Sequence, residues 1–159
     1  MSLVTVIMNS YKRPHTISEQ YEAIKSQTIK DISIMCWFNF DEDSRRENYP
    51  TDFVHNVPCA FSNINLGVWA RFAYALNANS KYICVVDDDT IFGSKWIENC
   101  LNTMTTHRGL LGCRGVRMVG DDYDQYPACK YESICGNENI EQVDIMGHCW
   151  FFEKEWLRA

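Results

Sequence analysis

An apolar run that stops at three carboxylates, Tyr82-Ile83-Cys84-Val85-Val86-Asp87-Asp88-Asp89, stands near the middle of the chain. The run is rich in β-branched residues and has the length of a buried strand. The three acids then lie at the carboxyl end of that strand, which is the edge where open α/β sheets bind ligands. The pattern therefore predicts a binding site at the end of a central strand.

The charge of this triplet allows two interpretations. Three adjacent carboxylates repel one another, and a divalent cation such as Mg²⁺, which prefers carboxylate oxygens, would neutralise them. A cation in that place can also bind the phosphates of a nucleotide, so a metal-assisted nucleotide enzyme is the first interpretation. In the second, Asp88-Asp89-Thr90 is only a polar turn that caps the next helix.

The composition limits the class of protein. A chain of 159 residues that is 46% apolar and 23% charged is expected to fold as one globular domain with a sizeable core. The formal net charge of −6 argues against general nucleic-acid affinity, which needs a basic surface. No apolar stretch of the sequence approaches the roughly 20 residues of a membrane span, and the N-terminus lacks the basic flank of a signal peptide.

The eight cysteines bear on the cellular location. Without a secretory signal they indicate reduced thiols and a cytoplasmic protein. The chain contains no Cys-x-x-Cys, and Cys113, Cys129, Cys135 and Cys149 do not follow a zinc-binding spacing. Buried, inert thiols are therefore the default interpretation.

Strands alternate with helices along the chain. Apolar runs predict strands over residues 3–8, 32–38, 82–86 and 110–116. Helical spacing predicts helices after Pro14, after Gly67 and across residues 97–104. This alternation predicts an α/β fold with a mostly parallel central sheet flanked by helices.

The remaining segments are less regular. Residues 44–62 read as irregular, residues 119–142 as a loop containing Asp121, Asp122 and Asp124, and residues 153–159 as the start of a helix. The aromatic side chains Trp37, Trp69, Trp150, Phe151 and Phe152 are expected in the core.

Four segments, in this order, resemble a nucleotide-sugar glycosyltransferase of the GT-A fold, close to the family-2 type. They are residues 4–14, Asn65-Leu66-Gly67 with Ala70-Arg71 after it, residues 82–89, and residues 147–152. The first two resemble that family's opening strand with its nucleotide loop and its Asn-x-Gly…Ala-Arg helix. The last two resemble its strand ending in Asp-x-Asp and its acceptor-side segment.

The resemblance implies a single Rossmann-like GT-A domain. Its nucleotide-binding half would cover residues 1–108, and residues 109–159 would begin the acceptor half. It also implies transfer of a sugar, with inversion, from a nucleotide-sugar donor such as a UDP-sugar to a glycan, lipid or protein acceptor.

The resemblance implies roles for individual residues as well. Asp89 would ligate Mn²⁺ or Mg²⁺, and Asp87 would bond the ribose or base. Further nucleotide-sugar contacts would come from Tyr11, Arg13, Asp41, Asn65, Arg71 and Asp88. For Asp88 a solvent-facing or capping position is the favoured alternative to that contact. His148 is either a buried, hydrogen-bonded histidine or a metal or phosphate contact.

One departure from the family concerns the catalytic base. The family usually carries a further acidic pair some tens of residues after a segment like residues 153–157, and the given sequence ends before that point. Either the chain is truncated, or the base lies elsewhere, or the protein binds donor without efficient transfer. Asp144 is the acid nearest the acceptor segment and is the candidate base, which would need hydrogen-bond reach of the acceptor.

Two other functions stay open at this point. Asp87 and Asp89 fit a phosphohydrolase of the Asp-x-Asp-x-Thr type with an aspartyl nucleophile, but Thr90 falls one place early. A non-catalytic nucleotide-sugar-binding domain is the other alternative.

Overall fold

The computed structural model describes residues 1–40, 50–119, 131–135 and 139–158. Within these ranges seven strands form one sheet: β1 Ser2–Ser10, β2 Ile32–Phe38, β3 Cys59–Phe61, β4 Ser80–Val86, β5 Leu111–Met118, β6 Tyr131–Cys135 and β7 Ile145–Glu153. The α-helices of the same ranges are α1 Ile17–Lys25, α2 Thr51–Asn56, α3 Ala70–Ala75 and α4 Trp96–Thr106. Two 3₁₀ helices, Pro14–Thr16 and Lys154–Arg158, complete the described elements.

The sheet has the strand order β3-β2-β1-β4-β7-β5-β6. The first four strands in that order are parallel, whereas β7 is antiparallel to both β4 and β5. Strand β6 is antiparallel to β5, so β6 and β7 oppose the direction of the other five described strands. The predicted α/β fold with a mostly parallel sheet flanked by helices is therefore confirmed.

The register brings several strand ends to one edge of the sheet. Ser10 at the end of β1 pairs with Phe38 at the end of β2, and Met8 pairs with Val86 at the end of β4. The segments that follow these three strands consequently meet at the same edge. This convergence, which parallel pairing enforces, positions the candidate site.

The core lies on both faces of the sheet. On one face Val4, Val6 and Met8 of β1 pack in a cluster with residues of α1 and α4. On the other face Ile7 packs with Ala75 of α3. The alternation follows from the two-residue period of a strand, which sends successive side chains to opposite faces.

Two segments that the sequence predicted as irregular contain regular structure. Residues 44–62 include α2 and β3, and residues 119–142 include β6. Helix α2 contributes Phe53, which is buried in the core and packs edge-on against Tyr21. The strands in these two segments are short and lie at the ends of the strand order, where the sequence need not be strongly apolar. Asp121, Asp122 and Asp124 lie outside the described residues.

Residues 153–159, which the sequence predicts as the start of a helix, contain the 3₁₀ helix Lys154–Arg158. Among the expected core aromatics, Phe151 and Phe152 are buried and Trp37 and Trp150 are half-buried. The prediction for Trp69 is wrong, because 76% of this residue is exposed just before α3. None of the helices in the described ranges has the length and apolar character needed to cross a membrane.

Candidate functional site

The candidate site lies where β1, β4 and β7 meet at the carboxyl edge of the parallel strands. Asp87 follows the end of β4, and its backbone N donates a hydrogen bond of 2.9 Å to the carbonyl oxygen of His148 in β7. Because β7 is antiparallel to β4, a residue that comes about sixty positions later is brought beside the acidic triplet. The segment after β1 supplies Tyr11 and Arg13 to the same place.

Three potential ligand groups form the centre of the site. One ligand atom from each of Asp87, Asp89 and His148 lies within 4.8 Å of the others. His148 Nδ1 is 4.0 Å from Asp89 Oδ1. Carboxylate oxygens with an imidazole nitrogen suit Mn²⁺, and the carboxylates alone suit Mg²⁺, so these residues fit the divalent cation that the family resemblance implies.

His148 has an unusual backbone conformation. Its φ is +68°, in the left-handed region that a non-glycine residue seldom adopts. Such conformations cost free energy and concentrate at functional sites. The strain accompanies an irregularity in the β5–β7 pairing, since Gly112 pairs with Trp150 but Arg114 pairs with Gly147.

Arg13 joins the second and third carboxylates of the triplet. Its Nη1 donates hydrogen bonds of 2.9 Å to Asp88 Oδ1 and 2.8 Å to Asp89 Oδ2. The hydrogen bond to Asp89 and the negative charges of Asp88 and Asp89 raise the pKa of Arg13. The guanidinium therefore remains charged and partly offsets the mutual repulsion of the acids.

Asp88 is buried rather than solvent-facing, and the interpretation as a solvent-exposed residue is wrong. Its Oδ2 accepts a hydrogen bond of 2.9 Å from the backbone N of Tyr11, and only 9% of the residue is exposed. With Arg13 on the other oxygen, Asp88 ties the loop after β1 to the loop after β4. Lys12, which lies in the loop after β1 between Tyr11 and Arg13, has a φ of +59°. This backbone conformation costs free energy in a non-glycine residue.

Arg71 makes a buried ion pair with Asp87. Its Nη1 donates to Asp87 Oδ1, and its guanidinium carbon lies 4.9 Å from the centre of the Trp150 ring. Burial raises the pKa of Asp87, and the positive charge and hydrogen bond of Arg71 oppose that shift. In the described part of the chain Arg71 Nε has no hydrogen-bond partner, so one buried N–H donor of the guanidinium has no acceptor.

Asn65 shapes the turn that leads into α3. Its Oδ1 accepts hydrogen bonds of 2.7 Å from Asn39 Nδ2 and 2.8 Å from the backbone N of Gly67, whose φ is +68°. Glycine adopts this conformation at no steric cost. Contact of Asn65 with a donor remains a prediction. Asp41, a predicted nucleotide-sugar contact, lies outside the described residues.

The structure does not bring Asp144 to the three ligand groups. Its Oδ2 accepts a hydrogen bond of 2.8 Å from the backbone N of Met118, and its backbone N donates to Val116. It precedes His148 by four residues, which corresponds to about 13 Å along an extended strand. Its role as catalytic base remains a prediction.

Two residues of the site escaped the sequence analysis. Gln20 in α1 is buried and donates through Nε2 to the carbonyl oxygens of Asp87 at 2.6 Å and Thr90 at 3.1 Å. It shares a helix face with Ile17 and Ile24, and a polar residue among predicted core positions was the available signal. Arg114, whose Nη1 lies 3.4 Å from His148 Nε2, carried no such signal because its position depends on strand pairing.

Comparison with known proteins defines the class. A family model described as Glycosyl transferase family 2 matches residues 5–159, so this chain belongs to that family. The predicted family resemblance is thereby confirmed. A search of curated proteins found no match.

Solved structures of glycosyltransferases share the fold. One is S. aureus TarS 1–349, with a TM-score of 0.62, 12% sequence identity, and coverage of 98% of this chain and 48% of that chain. Another is the mannosyltransferase PcManGT from Pyrobaculum calidifontis in complex with GDP-Man and Mn²⁺, with a TM-score of 0.55, 16% identity and coverage of 70% and 35%. A third is TarS 1–349 in complex with UDP-GlcNAc, with a TM-score of 0.51, 12% identity and coverage of 76% and 36%. The chain thus spans less than half the length of each of these structures.

Proposed function

We propose that this chain carries the donor site of a metal-dependent glycosyltransferase that takes a sugar from a nucleotide-sugar. The observation that carries the proposal is the meeting of Asp87, Asp89 and His148 within 4.8 Å at the carboxyl edge of the parallel strands. Membership of glycosyl transferase family 2 supports the reaction type. The solved complexes of PcManGT with GDP-Man and Mn²⁺ and of TarS with UDP-GlcNAc support the donor class and the cation.

The cation would be Mn²⁺ or Mg²⁺, held by Asp89 with Asp87 and His148 as further ligands. When bound, a divalent cation stabilises the negative charge that a departing nucleoside diphosphate acquires. Arg13 would give up part of its contact with Asp89 to the cation and turn its remaining donors toward phosphate, for which a guanidinium is suited.

The nucleoside would be held beside these groups. Arg71 holds one oxygen of Asp87, and the other oxygen, which faces the cation site, would also accept a hydrogen bond from ribose or base. Tyr11 and Asp88 keep the loop after β1 against the triplet, and Asn65 keeps the turn before α3 in place. Holding the remote nucleotide in this way positions the reacting sugar carbon for attack. Inversion at that carbon, a UDP donor in particular and Asp144 as base belong to the proposal.

The competing functions have weaker support. The family match gives no support to an Asp-x-Asp phosphohydrolase, and Asp87, the nucleophile which that chemistry needs, is engaged by a buried arginine. A nucleotide-sugar-binding domain without transfer shares every contact above. If this chain releases free sugar from a nucleotide-sugar, it is an enzyme and not such a binding domain.

Melting temperature tests the donor site. A ligand at 100 times its Kd stabilises a fold by about 2.7 kcal/mol, which for a chain of this length raises Tm by roughly 5–10 °C. We expect Mn²⁺ and UDP together to produce such a shift, larger than the sum of their separate shifts, and Asp89→Ala to abolish it. Asp31→Asn is the matched control, because Asp31 is exposed and lies before β2, away from the carboxyl edge. A shift that survives in Asp89→Ala contradicts the metal role.

A further inference from the structure

Arg114 of β5 stands beside the cation centre formed by Asp87, Asp89 and His148. Its Nη1 lies 3.4 Å from His148 Nε2, and Nδ1 of the same ring lies 4.0 Å from Asp89 Oδ1. One imidazole ring therefore separates the guanidinium from the Asp89 carboxylate. Arg114 is exposed, so a ligand that reaches the centre can reach this side chain as well.

The strand pairing places Arg114 level with the acidic triplet, although β5 is not adjacent to β4. Val86, the last residue of β4, pairs with Cys149 of β7, and Arg114 pairs with Gly147 of the same strand. Gly147 has no side chain, and a Cβ built on it would meet no atom within 4 Å. The position opposite Arg114 is therefore open space that a ligand group can occupy.

The charge of Arg114 is not balanced by a carboxylate of the described residues. Arg13 and Arg71 each pair with a carboxylate of the triplet. Arg114 makes no ion pair within the described ranges, and its contact with His148 uses only one of the five N–H donors of a guanidinium. The remaining donors form a planar fork that suits the oxygens of a phosphate group.

A cation bound to the carboxylates would face this unbalanced positive charge. Two positive charges in neighbouring positions repel each other. A phosphate group between the cation and Arg114 removes the conflict, because phosphate oxygens ligate divalent cations and accept hydrogen bonds from arginine. An anionic group of the ligand is therefore expected beside Arg114.

The strand order indicates which part of the donor this group is. Tyr11, which the proposed function assigns to the nucleotide, follows β1, and the cation centre lies where β4 and β7 meet. In the order β1-β4-β7-β5, Arg114 is on the far side of the centre from Tyr11. A nucleotide that runs along this edge brings its terminal phosphate to β5, and its first phosphate stays nearer to β1.

We propose that Arg114 binds the β-phosphate of the donor, so that the donor is a nucleoside diphosphate sugar and not a nucleoside monophosphate sugar. During transfer the bond between the sugar carbon and the β-phosphate oxygen breaks, and both electrons of that bond stay on the phosphate oxygen. The acceptor hydroxyl oxygen forms the new bond to the sugar carbon and loses its proton to a base. The additional negative charge thus develops beside Arg114, where a fixed positive charge stabilises it. The inference rests on the proposed function for the nature of the ligand.

Isothermal titration of the chain with UDP and with UMP, each with saturating Mn²⁺, tests this assignment. UMP lacks the β-phosphate, so the ratio of the two affinities measures what that phosphate contributes. We expect Arg114→Met to bind UDP about tenfold more weakly, because a charge-assisted contact is lost, and to bind UMP as the wild type does. Arg114→Lys should recover part of the affinity for UDP, because it keeps the charge without the planar fork.

Arg117→Met is the matched control. Arg117 lies in the same strand, and its Nη2 is 2.7 Å from Glu141 Oε2, so its charge is already paired. We expect both affinities to be unchanged in this variant, and circular dichroism reports whether each variant is folded. With Mg²⁺ in place of Mn²⁺, the ³¹P resonance of the β-phosphate of bound UDP should differ between the wild type and Arg114→Met, and that of the α-phosphate should not.

The outcomes separate this inference from the proposed function. A wild type that does not bind UDP in the presence of Mn²⁺ contradicts both. A wild type that binds UDP and UMP equally well overturns the role of Arg114 alone. The same holds if folded Arg114→Met and Arg114→Lys keep the wild-type ratio of UDP to UMP affinity.

Discussion

Arg13 Nη1 lies 2.8 Å from Asp89 Oδ2, so a guanidinium already occupies one side of the carboxylate that we assign to the cation. The same nitrogen lies 2.9 Å from Asp88 Oδ1. The positive charge stabilises the triplet, but it also repels any cation that approaches Asp89. Arg13 and a divalent cation thus compete for one carboxylate until a phosphate group arrives to occupy the guanidinium.

This competition predicts opposite effects of one substitution on two ligands. In Arg13→Met, Mn²⁺ alone should bind severalfold more tightly, because a nearby positive charge is gone. UDP in the presence of Mn²⁺ should bind more weakly, because a phosphate contact is lost. Isothermal titration of each ligand measures both, with Lys12→Met, an exposed neighbouring cation, as control. Weaker binding of Mn²⁺ alone in Arg13→Met would count against the competition.

The ion pair between Arg71 and Asp87 predicts a loss of stability. Removing one partner of a fully buried pair costs about 3–5 kcal/mol. Because 26% of the Asp87 side chain is exposed, we expect a smaller loss of about 2 kcal/mol in Arg71→Met. Urea denaturation measures it. The double variant Arg71→Met/Asp87→Asn should recover part of the loss, since no unpaired charge is left, and a purely additive double variant would argue against the pair.

The hydrogen bonds of Gln20 predict that α1 stabilises the loop after β4, which contains Asp87 and Thr90. Gln20→Leu keeps the volume but removes the side-chain donor to the carbonyl oxygen of Thr90 and leaves that of Asp87 with only the backbone N of Thr90, at 3.1 Å. An unsatisfied buried group costs about 1–3 kcal/mol, so we expect a loss of about 2 kcal/mol in urea denaturation. Glu19→Gln, an exposed change on the same helix, should be near neutral. Equal stability of Gln20→Leu and the wild type would show that Gln20 does not stabilise this loop.

The ion pair of Glu153 with Arg108 predicts a pH dependence at the opposite end of β4. Arg108 donates to both carboxylate oxygens at 2.7 and 2.6 Å, and this hydrogen bonding lowers the pKa of Glu153 to about 2. A depressed folded-state pKa gives stability that is complete above the ordinary value of 4.5 and lost as the pH falls toward about 2. The melting temperature measured between these pH values should depend less on pH in Glu153→Gln than in the wild type. The same pH dependence in both proteins would show that other carboxylates dominate acid unfolding.

The sequence predicted the central part of the fold better than its edges, for a physical reason. Strands β1 and β4 are buried on both faces, so they read as short apolar runs that are hard to mistake. The edge strands β3 and β6 are short and border irregular segments, so their pairing carries no comparable signal. The insertion of β7 between β4 and β5 is a matter of strand order, which local pattern does not encode.

The same distinction applies to the candidate site. Asp87, Asp89 and Arg13 could be predicted to converge, because parallel strands end at one edge. The burial of Asp88, the hydrogen bonds of Gln20 and the stacking of Arg71 on Trp150 depend on tertiary contacts between distant segments. The exposure of Trp69 is the reverse case, since an aromatic residue was expected in the core by default.

Direct titration with Mn²⁺, followed by the electron paramagnetic resonance signal of the free ion, tests the metal assignment most directly. We predict one Mn²⁺ site per chain in the wild type, unchanged in Asp31→Asn and lost in Asp89→Asn. Mn²⁺ that binds Asp89→Asn as tightly as the wild type, with the same stoichiometry, would contradict the account.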